Sequence, residues 1–209
     1  MLLSLPDLIK EYSLDIRGVI HVGAHFGEEY QAYADSGIRE MVFFEPVRAS
    51  FEELQKRLNG KEVQLVNKAV GNQNTSIEMY TETKNKSQSS SVLVPSRHLI
   101  DYPNIVFDGK ETVEMVRLDD FVDSPMRYNF LNLDVQGYEL EVLKGAAELL
   151  SSVDAILSEV NSDQLYEGGV LIEELDQFLE DFSFERVATK WWKKSCWGDA
   201  LYVKRKQNV

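Results

Sequence analysis

Cysteine is nearly absent from this 209-residue chain, where Cys196 stands alone. That excludes an internal disulfide, and it excludes a metal site built from several thiolates. Long apolar runs are also missing, and none approaches the roughly 18 residues of a membrane span. The opening Met1-Leu2-Leu3-Ser4-Leu5-Pro6-Asp7 has neither a basic stretch nor a long apolar one. It does not read as a secretory leader, and a cytoplasmic protein is expected. Positive charge is scarce: 22 Lys and Arg stand against 35 Asp and Glu, a formal net charge of −13. Without a broad basic surface the chain cannot hold a phosphate backbone through counterion release, so nucleic acid is not an expected partner. Two short basic clusters, Lys193-Lys194 and Lys204-Arg205-Lys206, read as solvated strand ends.

What is present is the composition of a globular domain, with 44% apolar and 27% charged residues. The length suits one domain over residues 1–209. Leu5, Leu8, Ile9 and Tyr12 recur at helical spacing, which predicts a short amphipathic N-terminal helix within residues 1–15 that covers a sheet edge. The apolar run Gly18-Val19-Ile20-His21-Val22-Gly23 then reads as a buried parallel strand. Glu28 to Gly37 reads as a helix with a glycine stop, Met41 to Phe44 as a strand, and Ala49 to Leu58 as a helix. Val63 to Val66 continues the alternation as a strand. Ile77 to Tyr80 and Thr112 to Val116 look like strands flanking a long polar connection. Asn129 to Leu133 is a strand leading into a helix from about Tyr138 to Leu150. Val153 to Leu157 is the next strand, Ile172 to Leu179 a helix, and Phe184 to Thr189 with Ala200 to Val203 a closing hairpin. Such alternation predicts an α/β fold, a Rossmann-like doubly wound sheet, mostly parallel with an antiparallel C-terminal hairpin strand. The connection over residues 81–110 is about thirty residues long, a length typical of a functional lid or a disordered segment.

Ligands of such sheets bind beyond the carboxyl ends of the strands. The first strand ends in Gly23-Ala24-His25-Phe26-Gly27, where two glycines allow a tight turn and close backbone approach of a ligand. The second ends in Phe44-Glu45-Pro46. Glu45 follows Gly23 at the spacing of about 20 residues from which an acid reaches ribose hydroxyls. Pro46 ends the strand and fixes that carboxylate at its tip. The third strand leads to Asn67-Lys68-Ala69-Val70-Gly71, whose small residues can border an adenine ring. The fourth delivers Asp134-Val135-Gln136-Gly137-Tyr138-Glu139, an acid at a strand tip before a glycine turn, which also suits a helix cap.

These segments, with the continuation Leu143-Lys144-Gly145-Ala146, resemble the FkbM family of class I methyltransferases over most of the chain from Gly18 to about Ala146. The closing Gly198-Asp199-Ala200-Leu201-Tyr202 is compatible with the family's last strand. The resemblance implies seven strands in the order 3-2-1-4-5-7-6, S-adenosyl-L-methionine as cofactor, and methyl transfer to oxygen, often on sugars or natural products. It implies cofactor contacts from His21, Gly23, Ala24, His25, Gly27, Glu45, Pro46, Ala69, Asp134 and Gln136. Two positions depart from the family pattern: His21 stands where aspartate is usual, and His25 where asparagine is usual.

Methyl transfer from a sulfonium requires alignment of the acceptor and removal of its proton. The candidate catalytic residues are Asp134, His25 and Glu159, with Asp134 the best placed by motif and His21 also near a strand tip. Asp134, Glu159 and Asn161 are similar to the oxygen ligands of Mg²⁺-dependent O-methyltransferases. Plain strand-end polar residues explain them as well, and no metal is the primary expectation. Trp191, Trp192 and Trp197 belong to the closing hairpin, where large aromatics are expected to complete a core, with sugar stacking the alternative. His98 and Tyr102 in the long connection leave the same two readings open. The expected acceptor is a small molecule or glycan. Two other classes stay in view: a nicotinamide-dependent oxidoreductase, disfavoured because the first turn lacks G-x-G-x-x-G spacing, and a non-catalytic nucleotide-binding module.

Overall fold

The computed structural model describes residues 1–205; Lys206 of the second basic cluster lies outside the described residues. The chain opens with α1 (Leu5–Tyr12) and alternates through β1 (Gly18–Val22), α2 (Tyr30–Asp35), β2 (Glu40–Phe44), α3 (Arg48–Arg57) and β3 (Gln64–Val66). Then come β4 (Ala69–Val70), β5 (Thr75–Glu82), the short α4 (His98–Asp101), β6 (Phe107–Val116) and the short α5 (Leu118–Phe121). The remainder is β7 (Phe130–Leu133), α6 (Glu139–Lys144), β8 (Ala155–Asn161), α7 (Ile172–Asp181), β9 (Phe184–Trp191) and β10 (Trp197–Lys204).

Seven of the strands form one sheet in the order β3-β2-β1-β7-β8-β10-β9, which is 3-2-1-4-5-7-6 when that sheet's own strands are counted along the chain. β1 runs parallel to both β2 and β7, and β7 parallel to β8. β10 inserts antiparallel between β8 and β9. β1 is buried along its whole length, so its alternating side chains feed two separate cores. Ile20 and Val22 join Leu131, Leu133, Ile156 and Leu175 of α7 on one face. Val19 joins Phe43, Phe130, Leu157, Leu201 and Leu54 of α3 on the other. Leu5 and Leu8 of α1 pack into this second core, and the Tyr12 hydroxyl donates to the Val187 carbonyl of edge strand β9 at 3.0 Å.

Three segments differ from the sequence expectation. The helix expected to run to Leu150 stops at Lys144, and a separate 3₁₀ turn forms over Leu149–Ser151. At Gly145 the chain passes so close to β4's exit that a Cβ would lie 1.9 Å from the Gly71 carbonyl oxygen. The strand expected to end at Leu157 continues to Asn161, because β10 pairs with it as far as Trp197↔Asn161. The long connection is also shorter than expected: β5 and β6 extend into it and pair with each other, forming with β4 a second sheet in the order β4-β6-β5. Its remaining residues are stitched down by isolated bridges Tyr80↔Ser91 and Pro95↔Tyr166. No helix among the described residues is long and apolar enough to cross a membrane.

Candidate functional site

A cavity of about 550 Å³ opens beyond the C-terminal ends of β1, β2, β7 and β8. On its first wall the main chain leaves β1 through Gly23, whose φ of +81° and contact with Asp134 leave no room for a side chain: a Cβ would stand 1.8 Å from the Asp134 carbonyl oxygen. Gly23 and Ala24 both donate to the Phe44 carbonyl, at 3.0 and 2.9 Å. His25 then adopts a positive φ of 48°, unusual for a residue with a side chain. Glu45 holds that geometry. One carboxylate oxygen accepts the His25 main-chain N–H at 2.8 Å and the other accepts that of Val47 at 2.8 Å. Burial pushes the Glu45 carboxyl up to about 7, with those two N–H donors working against the shift.

The second wall is the turn after β7. Glu139, fully buried, accepts the N–H groups of Val135 and Gly137 at 3.1 and 3.2 Å. This holds Gln136 at a positive φ of 56° and aims its side chain back at the strand tips. The Gln136 amide nitrogen donates to Asp134 at 2.9 Å and to both Glu159 oxygens at 3.2 Å. Its amide oxygen lies 3.1 Å from the Tyr166 hydroxyl. Desolvation raises Asp134 to about 6 and Glu139 to about 7. Glu159 is raised well above the usual carboxylate range, by burial first and the neighbouring Asp134 next. Asp199 on β10, paired with Glu159 of β8, accepts the main-chain N–H groups of Leu2 and Leu3, which brings the N-terminal segment to the cavity rim.

The long connection forms the remaining wall. The His25 ring reaches it through Nε2, 2.6 Å from the Lys86 carbonyl, while Nδ1 lies 3.1 Å from Glu28. Burial works against protonation of His25, and the bonds to Glu28 and Lys86 outweigh it, raising its pKa. The Tyr166 hydroxyl donates to the Ser89 carbonyl at 2.7 Å, and Ser91 Oγ donates to the Gln136 carbonyl at 2.9 Å.

His21, Gly23, Ala24, His25, Glu45, Pro46, Ala69, Asp134, Gln136 and Glu159 therefore line one cavity. The His21 ring faces away from open space: it is 2% exposed, with its nitrogens 3.3 Å from the Tyr33 hydroxyl and 3.3 Å from the Asn132 amide. Gly27 is not on the wall; it packs on Leu54 and Leu58, and a Cβ would come within 2.7 Å of Leu54. The set Asp134, Glu159 and Asn161 gains no support as a metal site. A donor, the Gln136 N–H, already stands between the two carboxylates, and no group of three or more His, Cys, Asp or Glu among the described residues could hold an ion. The hairpin tryptophans do not complete a core: Trp191 and Trp192 are 38% and 40% exposed, and half-buried Trp197 lines the cavity. Sequence reasoning passed over Glu139 as a site residue although it stands in the quoted motif. It also missed Tyr166 and Asp199, which carry no local signal because their partners are distant in sequence.

A sheet in this order, with a tight glycine turn after β1 and an acid at the tip of β2, defines the Rossmann-like S-adenosylmethionine-dependent methyltransferases, and this chain is one of them. The residues present fit the cofactor: the side-chain-free cradle at Gly23 and the Glu45 carboxylate lie on the same cavity. The methyltransferase FkbM domain matches residues 21–186, and the chain belongs to that family. It is 26% identical over 179 residues to the 2-O-methyltransferase NoeI of Sinorhizobium fredii, covering 81% of this chain and 73% of that protein. Magnesium protoporphyrin IX methyltransferase from Synechocystis, solved with S-adenosylmethionine, shares the fold at a TM-score of 0.54 and 11% identity, over 96% of this chain and 76% of its own. A Burkholderia thailandensis 1,6-didemethyltoxoflavin-N1-methyltransferase does so at 0.52 and 12%, over 96% and 76%. Neither the oxidoreductase nor the non-catalytic alternative gains support from these matches.

The crowded acids make stability depend on pH. Folded Glu45, Asp134, Glu139 and Glu159 take up protons at pH values where unfolded carboxyls, near 4.5 for Glu and 3.8 for Asp, do not. Stability therefore rises as pH falls through about 7 and 6. His21 and His98 oppose this, since burial lowers both below 6.5 and the unfolded chain then binds protons first. Between pH 8 and 6.5 the carboxyls should dominate, and Tm should increase on acidification, less so in Glu45→Gln. A Tm that falls steadily across that interval would overturn this assignment.

Proposed function

We propose that this methyltransferase acts on a hydroxyl oxygen of a sugar, glycan or sugar-bearing natural product, without a metal. The observation that carries the reading is the pairing of Asp134 with Glu159 on the cavity wall, bridged by one amide. S-adenosylmethionine supplies a methyl group on sulfonium, so the leaving group is built in and the protein has to orient the acceptor and receive its proton. Glu45 is suited to ribose hydroxyls, since each oxygen keeps acceptor capacity beyond its one main-chain donor. Asp134, raised to about 6, is ionised at neutral pH yet basic enough to take a hydroxyl proton. Burial and the neighbouring Asp134 raise the proton affinity of Glu159, and the Gln136 amide donates to both carboxylates. The NoeI relative is a 2-O-methyltransferase, which supports oxygen as the acceptor atom. A −13 charge supports an uncharged small acceptor over a nucleic acid. The fold alone does not decide this, because a tRNA (m1A22) methyltransferase candidate of Streptococcus pneumoniae shares it at a TM-score of 0.53.

Three measurements test the reading. Glu45→Ala should weaken S-adenosylmethionine binding by about 1.5–3 kcal/mol, the scale of hydrogen bonds to a charged group; unchanged affinity by calorimetry would remove Glu45 from the cofactor site. Asp134→Asn keeps the shape and removes the charge, so cofactor binding should persist while turnover falls about 10²–10⁴-fold. Full activity in that variant rules out Asp134 as base, and loss of wild-type activity in EDTA with recovery in Mg²⁺ rules out the metal-free mechanism. The part of the 81–110 segment left between β5 and β6, residues 83–106, acts as a lid on the acceptor side, a role supported by its polar latches to His25, Gln136 and Tyr166. Its amides should exchange quickly in the free protein and become protected with cofactor plus acceptor. Equal, strong protection in the free protein would instead indicate a fixed wall.

A further inference from the structure

Within the long connection, His98 is 4% exposed, and its Nδ1 is fully buried with no hydrogen-bond partner. A buried orphan of this kind normally costs stability and calls for a reason. The imidazole is wedged among the rings of Tyr102, Phe107 and Tyr166, with centroids 5.0, 5.3 and 5.4 Å away. Its backbone is pinned by donation from the His98 N–H to the Leu165 carbonyl at 2.9 Å. The residue nevertheless lines the cavity, on the side away from Glu45, beside Tyr102 and Trp197. Those neighbours are themselves fixed: the Trp197 indole N–H donates to the Tyr102 hydroxyl at 3.0 Å, and that hydroxyl lies 2.9 Å from Ser195 Oγ. Among the described residues Nε2 makes no hydrogen bond either, and it is not fully buried as Nδ1 is, so of the two nitrogens of this cavity-lining residue it is the one open to a ligand.

The surroundings decide which nitrogen carries the proton. A ring face is electron-rich, so an N–H tolerates it as a weak partner while a bare lone pair is repelled. Among these rings the Nδ1–H tautomer is the better tolerated, and it leaves Nε2 as an acceptor. We infer that His98 Nε2 accepts a hydrogen bond from a hydroxyl of the methyl acceptor and so helps determine which acceptor is used. This inference rests on the hydroxyl-methylating function proposed above. Burial keeps the ring neutral at neutral pH, with nearby Asp101 opposing that shift only weakly, and only a neutral ring can accept at Nε2.

A packing role and a recognition role predict opposite patterns for His98→Phe. The phenyl ring fills the same aromatic niche and removes the orphaned nitrogen, so Tm should be unchanged or higher and S-adenosylhomocysteine affinity unchanged. If His98 reads the acceptor, kcat/KM for a methyl glycoside turned over by the wild type should still fall about 10–100-fold, the range of one lost hydrogen bond to substrate. His98→Gln, which retains an acceptor at similar reach, should recover part of the loss. Wild-type kcat/KM in His98→Phe with a normal Tm overturns the assignment while leaving the proposed function intact. Wild-type protein that binds S-adenosylhomocysteine yet methylates none of a panel of methyl glycosides overturns the sugar-hydroxyl function, and the role of His98 with it.

Discussion

Glu45, Asp134, Glu139 and Glu159 converge on the carboxyl edge of a single sheet, in a chain that already carries a net charge of −13. Bringing like charges together in a desolvated place is costly unless each is given donors or a proton. Both remedies are used. Main-chain N–H groups of His25 and Val47 turn toward Glu45, and those of Val135 and Gly137 toward Glu139. One amide, from Gln136, serves Asp134 and Glu159 together. What the donors do not offset appears as raised proton affinity.

The same hydrogen bonds that stabilise the carboxylates define the loops. His25 and Gln136 occupy the positive-φ region that side chains usually avoid, and each adjoins an N–H captured by a buried glutamate. Local strain of order 1–3 kcal/mol per residue persists only where the surroundings over-determine it. Here a buried carboxylate does so on both sides of the cavity. The site is therefore organised before any ligand arrives, which is what electrostatic catalysis requires of its fixed groups.

The two ends of the cavity have different origins. The Glu45 end is made by turns that any sheet of this order must contain, directly after β1 and β2. The opposite end is built from additions to that plan: the segment between β5 and β6, which delivers His98 and Tyr102, and the closing hairpin, which delivers Trp197. Additions of this kind can change with little effect on the central sheet, whose cores lie on either side of β1 and β7. A shared fold therefore specifies the methyl donor more firmly than the acceptor.

The sequence by itself determined the seven-stranded order through its resemblance, and the strand tips, the glycine turn and Glu45 through local signals. Apolar runs, helical spacing and turn residues act over a few positions, so they are legible without a partner. Asp134 and Glu159 were visible as strand-tip acids for the same reason. Tertiary structure alone decided the rest. It paired β5 with β6 into a second sheet, inserted β10 beside β8 so that Asp199 faces Glu159, and set Gln136 between two acids where a metal had been considered. It turned the His21 ring toward Tyr33 and Asn132, left Trp191 and Trp192 exposed, set the Tyr166 hydroxyl beside Gln136 and brought His98 to the cavity. Each of these depends on contacts between residues far apart along the chain. Which of several chemically competent partners such a side chain meets is settled by the packing of whole elements, and no local pattern records it.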